Sequence, residues 1–155
     1  GSTISISTSG SVTLNVTPVS GGSQTSASDT VSVSTNNSSG YYLTLSDSDA
    51  NTNLVNGGNN IAAHAGTQAS PSALANNRWG YRVDSIGGFS TGGAVENNVT
   101  TSSITYAGIP ASGSPNTIKT TGATASGDTT TVWYAVKADT TNPNGTYSDI
   151  ASTRG

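Results

Sequence analysis

The chain has 155 residues, of which 32% are hydrophobic and only 8% charged, with a formal net charge of -3. Five Lys and Arg residues leave no cluster of cations for nucleic acid or an anionic membrane, and no apolar run approaches the about 20 residues that span a bilayer. The absence of Cys removes disulfides, thiolate metal sites and cysteine nucleophiles together.

Disorder is not indicated, because low hydrophobicity is not joined by high net charge. The bulk of the chain is Ser, Thr, Asn and Gly, which gives a neutral surface of hydroxyls and amides. Such a surface predicts an extracellular setting, where these groups meet sugars, wall polymer or other proteins. Met is absent even at the first position, so Gly1-Ser2 reads as the start of a processed or trimmed chain.

Apolar residues recur at every second position along most of the chain, the period of a strand with one face inward. Ile4 and Ile6 alternate with Ser and mark a strand in an N-terminal arm, residues 1–10. The remainder, 11–155, reads as one domain. Val12, Leu14 and Val16 form the next alternating run, followed by Val31 and Val33. Asn36-Asn37-Ser38-Ser39-Gly40 then predicts a hairpin turn into Tyr41, Leu43 and Leu45. From Asp47 to Asn77 the pattern weakens, as in a covering loop. Ser70 as N-cap and Pro71 at the first position predict one short helical turn over 70–76. Trp79, Tyr81 and Val83 resume the alternation, as do Ile104 with Tyr106 and Val132, Tyr134 with Val136. Pro143-Asn144-Gly145 predicts a second hairpin, into 146–151. Many short strands with Gly and Pro turns predict an all-β fold, a two-sheet antiparallel β-sandwich of immunoglobulin-like or jelly-roll kind.

Four constellations carry chemistry. Asp47, Asp49, Asn51 and Asn53 present oxygen atoms at alternate positions, the spacing of a calcium loop. Thr52 and Gly58 stand where an EF-hand needs Gly and Glu, and the competing account is a series of Asx turns. No other cofactor is expected. His64 is the single histidine; a hydrolase would need it beside a Ser or Asp in a cleft. Trp133 and Tyr42 are candidate sugar-stacking rings, although Trp79 shares its strand face with Val83 and belongs to the core. Lys137 is the candidate for a spontaneous Lys–Asn cross-link, which requires a desolvated lysine near a protonated acid.

The segment Val31-Ser-Val-Ser-Thr-Asn-Asn-Ser-Ser-Gly-Tyr-Tyr-Leu-Thr-Leu-Ser-Asp-Ser-Asp resembles domains of exported bacterial cell-surface proteins. So do Asn77-Arg-Trp-Gly-Tyr-Arg-Val-Asp, Gly108-Ile-Pro-Ala-Ser-Gly-Ser-Pro and the stretch from Val132 to Asn144. The similarity is to the large secreted proteins of candidate-phylum epibiotic bacteria and runs from about Ser11 to Tyr147. It implies β-sandwich domains and no known activity. At the C-terminus, Ser148-Asp-Ile-Ala-Ser-Thr-Arg-Gly is shorter than the final strand that the resemblance leads one to expect, leaving a sheet position for a strand from another subunit.

The expectation is therefore a non-enzymatic structural or adhesive surface protein. It would join copies of itself into a fibre through donated strands anchored by Ile4 and Ile6, or meet other surface proteins or glycans. The alternative is a carbohydrate-binding module.

Overall fold

The computed structural model describes every residue except Asn144, Thr146 and Gly155, with the side chains of Thr153 and Arg154 also left aside. Among the described residues the fold is all-β and no helix forms; correspondingly, no helix is long and apolar enough to cross a membrane.

The strands are β1 (Ile4–Thr8), β2 (Ser23–Thr35), β3 (Tyr42–Asp47), β4 (Leu54–Asn56), β5 (Asn59–Ala63), β6 (Ser72–Ala73), β7 (Arg78–Arg82), β8 (Thr105–Tyr106), β9 (Asn116–Thr120), β10 (Ala125–Ala138) and β11 (Ala151–Arg154). Six form one sheet in the order β1-β2-β10-β7-β5-β4, which curls into a half-barrel. A three-stranded sheet, β11-β3-β9, and a two-stranded ribbon, β6-β8, complete the structure.

The long pair β2 and β10 is the spine. It runs antiparallel from Thr35 opposite Ala125 to Ser23 opposite Ala138, with a bulge between Ala125 and Asp128, where Gly127 adopts a φ of +64°. Alternation assigns the faces. Val31 and Val33 of β2 and Val132 and Val136 of β10 point inward, against Leu43 and Leu45 of β3 and Ile118 of β9. Leu43 and Leu45 are fully buried, each contributing about 1.5–3 kcal/mol from transfer out of water.

The opposite face of β10 is also covered. Ala135 packs with Leu74 and Tyr106 into a second small core beneath the β6-β8 ribbon. The spine is thus dry on both sides along part of its length, unlike the one-faced strands that simple alternation predicts.

Three expectations change. Over 70–76 there is no helical turn. Thr67 and Ser70 exchange backbone hydrogen bonds, and Ser72 and Ala73 then pair with Tyr106 and Thr105. An extended backbone here lets Leu74 reach the second core. Asn36–Gly40 is not a hairpin turn. It carries the chain from the six-stranded sheet to the three-stranded one, because β2 and β3 bury their apolar faces against each other rather than pairing side by side. Gly40 takes a φ of +86°, and a Cβ there would strike the Thr121 backbone carbonyl. Finally, the last sheet position is filled by the chain's own β11, which pairs with β3 from Ala151 opposite Asp47 onward. The segment after Pro143 therefore enters the three-stranded sheet instead of returning along β10; Asn144 of that turn lies outside the described residues.

Val12, Leu14 and Val16 keep their alternation, half-buried between exposed neighbours, with Leu14 and Val16 against the main core. Among the described residues this stretch belongs to no sheet.

Candidate functional site

Three regions gather most of the candidate residues: the outer edge of the six-stranded sheet, an acidic corner at the end of β3, and a cleft around His64.

At the edge, β1 pairs with β2 in the register Ile4–Thr35, Ile6–Val33, Thr8–Val31. Directly opposed residues share a face, so Ile4 and Ile6 lie on the core side of the sheet. They nevertheless remain 48% and 39% exposed, and neither joins the main core. All five residues of β1 are exposed. The strand is held by its ladder and by polar ties at its ends. At one end Thr3 N–H donates to Asn36 Oδ1 at 2.8 Å; at the other Ser9 donates from its backbone N–H at 3.0 Å and from its hydroxyl to Asp29 Oδ1. Farther along, the same edge of β2 is taken by a different segment: Gln24 exchanges backbone bonds with Val99, and Ser26 N–H donates to Glu96 O at 2.9 Å.

At the acidic corner, Asp47 is the last residue of β3 and is fully buried. The Asp49 N–H donates to its Oδ1 at 3.2 Å. The pattern repeats, with Asn51 N–H on Asp49 Oδ1 at 2.9 Å and Asn53 N–H on Asn51 Oδ1 at 3.1 Å. The alternate-residue spacing seen in the sequence is therefore a run of Asx turns. The carboxylate that joins Asp47 and Asp49 is Asp149, from the segment leading into β11; the three present oxygens within 4.8 Å of one another. Burial, reinforced by the neighbouring Asp149 carboxyl, pushes Asp47 up to about 7. Sequence reasoning missed Asp149, and no local signal marks it, since the chain returns to this corner only through the pairing of β11 with β3.

His64 sits in a cleft of about 590 Å³ whose lining includes Gln68, Ile109 and Asn116. It is buried, and burial lowers its pKa, favouring the neutral ring. Its Nε2 lies 2.9 Å from the hydroxyl of Ser72, an exposed residue, so the Ser–His contact that a hydrolase needs is present. The orienting acid is not: Nδ1 is buried with no hydrogen-bond partner. Ser72 escaped detection because a spacing of eight residues carries no motif.

The rings are separated. Tyr42 is 58% exposed on β3, whereas Trp133 is half-buried on β10, in the other sheet. A Cβ on Gly93 would meet the Trp133 ring at 2.6 Å, so loop backbone lies across its face. Lys137 is half-buried. A Cβ on Gly22 would touch both its Cε and the Asn76 side chain, making Asn76 the amide near it. Asn76 is exposed, and among the described residues no carboxyl is hydrogen-bonded or ion-paired to either side chain.

Comparison with protein families, with curated proteins and with solved structures finds no match to this chain.

Proposed function

We propose that this domain is a non-enzymatic structural subunit of an extracellular surface, joined to copies of itself through β1. The observation that carries this is the state of that strand. An edge strand presents free N–H and C=O groups, and proteins that stay monomeric blunt such edges with Lys, Pro or a bulge. The sequence Ile4-Ser-Ile-Ser-Thr8 has no charge and no Pro, and its register is unbroken. Its two isoleucines lie on the core side, yet stay 48% and 39% exposed.

Two modes of joining use the same atoms. A second copy can pair along the free edge of β1. Alternatively, β1 can leave its own β2 and form the identical ladder on a neighbour, at little cost because none of its residues is buried. We read the curled sheet facing the three-stranded sheet as a sandwich of immunoglobulin-like or jelly-roll type, the expected scaffold for such a subunit. A carbohydrate-binding module is less well supported, since among the described residues the ring–ring contact is Tyr81 with Phe89, in the core, and not one at Tyr42.

Sedimentation velocity and electron microscopy over a wide concentration range test the proposal. Reversible association or fibres are expected, and the Ile4→Lys/Ile6→Lys double variant should be monomeric with unchanged far-ultraviolet circular dichroism. Monomers at every concentration in the unaltered protein would overturn it.

A further inference from the structure

We propose that Asp47, Asp49 and Asp149 form a cation site that takes Ca²⁺ and fastens the C-terminal strand β11 to β3. This does not depend on self-association through β1, which lies in the other sheet.

Carboxylates near one another are common, so the argument rests on how these oxygens are partnered. Asp47 is 0% exposed, and while its Oδ1 accepts the Asp49 N–H, its Oδ2 is buried with no donor. The same holds for Asp149: Oδ1 accepts the Ile150 N–H at 2.9 Å, and Oδ2 is buried without a partner. A buried polar oxygen left unpaired costs about 1–3 kcal/mol, more when it is charged. Here two such oxygens belong to acids that also repel each other. Among the described residues neither acid forms an ion pair with Lys or Arg; the ion pairs lie elsewhere, at Arg82–Asp84 and Lys119–Asp128.

A hard divalent cation would satisfy both orphaned oxygens and the repulsion at once. Ca²⁺–O distances of about 2.3–2.6 Å put two ligands on opposite sides of the ion about 5 Å apart, and the three carboxylates lie within 4.8 Å of one another. Mg²⁺ holds its ligands nearer, at about 2.0–2.1 Å, in a strict octahedron. Zn²⁺ favours His and Cys; the chain has no Cys, and its single His is placed in the His64 cleft. Asp49 is exposed, which gives the ion an entry path and room for water ligands.

The placement gives the site a purpose. Asp47 stands opposite Ala151 at the start of the β11 ladder, and Ser48 N–H donates to Ile150 O at 2.8 Å. An ion shared by Asp47 and Asp149 would therefore clamp the entry to the terminal strand. Three carboxylates from an irregular corner fit the weak end of calcium affinity, about 10⁻⁴–10⁻³ M, where extracellular modules lie.

The test uses the full chain treated with chelator. Calorimetric titration with CaCl₂ should give saturable one-to-one binding. Calcium should raise the melting temperature and slow proteolysis after residue 147. Asp149→Asn and the exposed-site variant Asp49→Asn should each weaken binding at least about tenfold; Asp49→Asn serves as a control for folding because its side chain lies in solvent. An equal response to Mg²⁺ overturns the assignment to calcium. No binding heat and no calcium-dependent melting shift overturns the site altogether, and a melting temperature that then falls as pH rises from 4 to 7 shows that a shared proton closes the Asp47–Asp149 pair instead.

Discussion

Ile6 and Val33 face each other across the β1–β2 ladder on the same side of the sheet, yet Val33 is 1% exposed and Ile6 39%. The boundary of the core therefore passes between two paired residues. Inside it, shape and volume govern stability; outside it, an isoleucine is free for other contacts. Leu43→Ala, inside the boundary, should cost about 2–5 kcal/mol, whereas Ile6→Ala should change the stability of the monomer by no more than about 0.5 kcal/mol. Urea unfolding at low protein concentration, where self-association does not contribute, measures both.

Tyr41 and Asp128 link the inner end of β3 to the bulge of β10, with the phenol donating to Asp128 Oδ2 at 2.5 Å. This hydrogen bond, helped by Lys119 at 3.6 Å, holds the Asp128 carboxyl below its ordinary value. A carboxyl held low in the folded state stabilises the protein above its unfolded pKa, and that contribution is lost as pH falls through the folded value. Melting temperature should therefore decline more steeply below pH 4 in the unaltered protein than in Asp128→Asn, with the two curves converging at the acid end. Parallel acid limbs would contradict this.

Arg82 is 2% exposed and reaches three separate segments. Its Nε pairs with Asp84 at 3.2 Å, Nη1 donates to the Thr105 carbonyl at 3.2 Å and Nη2 to the Ser90 carbonyl at 2.5 Å. The guanidinium also lies 5.3 Å from the centre of the Phe89 ring. A lysine has no planar fork to serve these acceptors together. Asp84→Ala should cost about 2–3 kcal/mol, below the usual loss for a buried pair because Asp84 is 33% exposed. The double variant Arg82→Met/Asp84→Ala should cost less than the sum of the two single changes. A double-mutant cycle by chemical denaturation checks both.

Gly93 lies flat on Trp133, and an added Cβ would meet three ring atoms at 2.6 to 2.8 Å. Gly93→Val should therefore lift the loop, cost about 1–3 kcal/mol and shift Trp133 emission to longer wavelength as water reaches the ring. Trp79 is 4% exposed, with its indole N–H on the Thr52 carbonyl at 2.9 Å, so it should not contribute to the change. Emission from the Trp133→Phe variant separates the two signals.

Periodicity of two was enough to place the strands at Val31–Val33 and Tyr41–Leu45, where buried side chains alternate with more exposed ones. It also marked Trp79–Val83 and Val132–Val136, although Trp79 through Val83 are all buried and Ala135 is buried beside Val136. It could not say which strand pairs with which. Asn36–Gly40 has the residues of a hairpin turn, but whether two alternating strands lie side by side or face to face depends on the rest of the core. For the same reason Ala135, a small residue on a nominally outward face, gave no hint of the second core over it. The site was legible only in part. Asp47 and Asp49 advertise themselves by spacing, while Asp149 arrives from a hundred residues away by the register of β11. Ser72 likewise meets His64 because Thr67 and Ser70 close a turn between them.

The spine joins residues 23–35 to residues 125–138, so β2 can pair with β1 early while its other edge has no partner until β10 exists. Pairings this distant make folding slow, since the entropy of closing the intervening loop is lost before any contact compensates. While the chain is being synthesised, Val31 and Val33 can meet Thr8 and Ile6, but must wait for Thr130 and Asp128 on the other side. The large sheet can therefore close around its centre only once β10 has emerged.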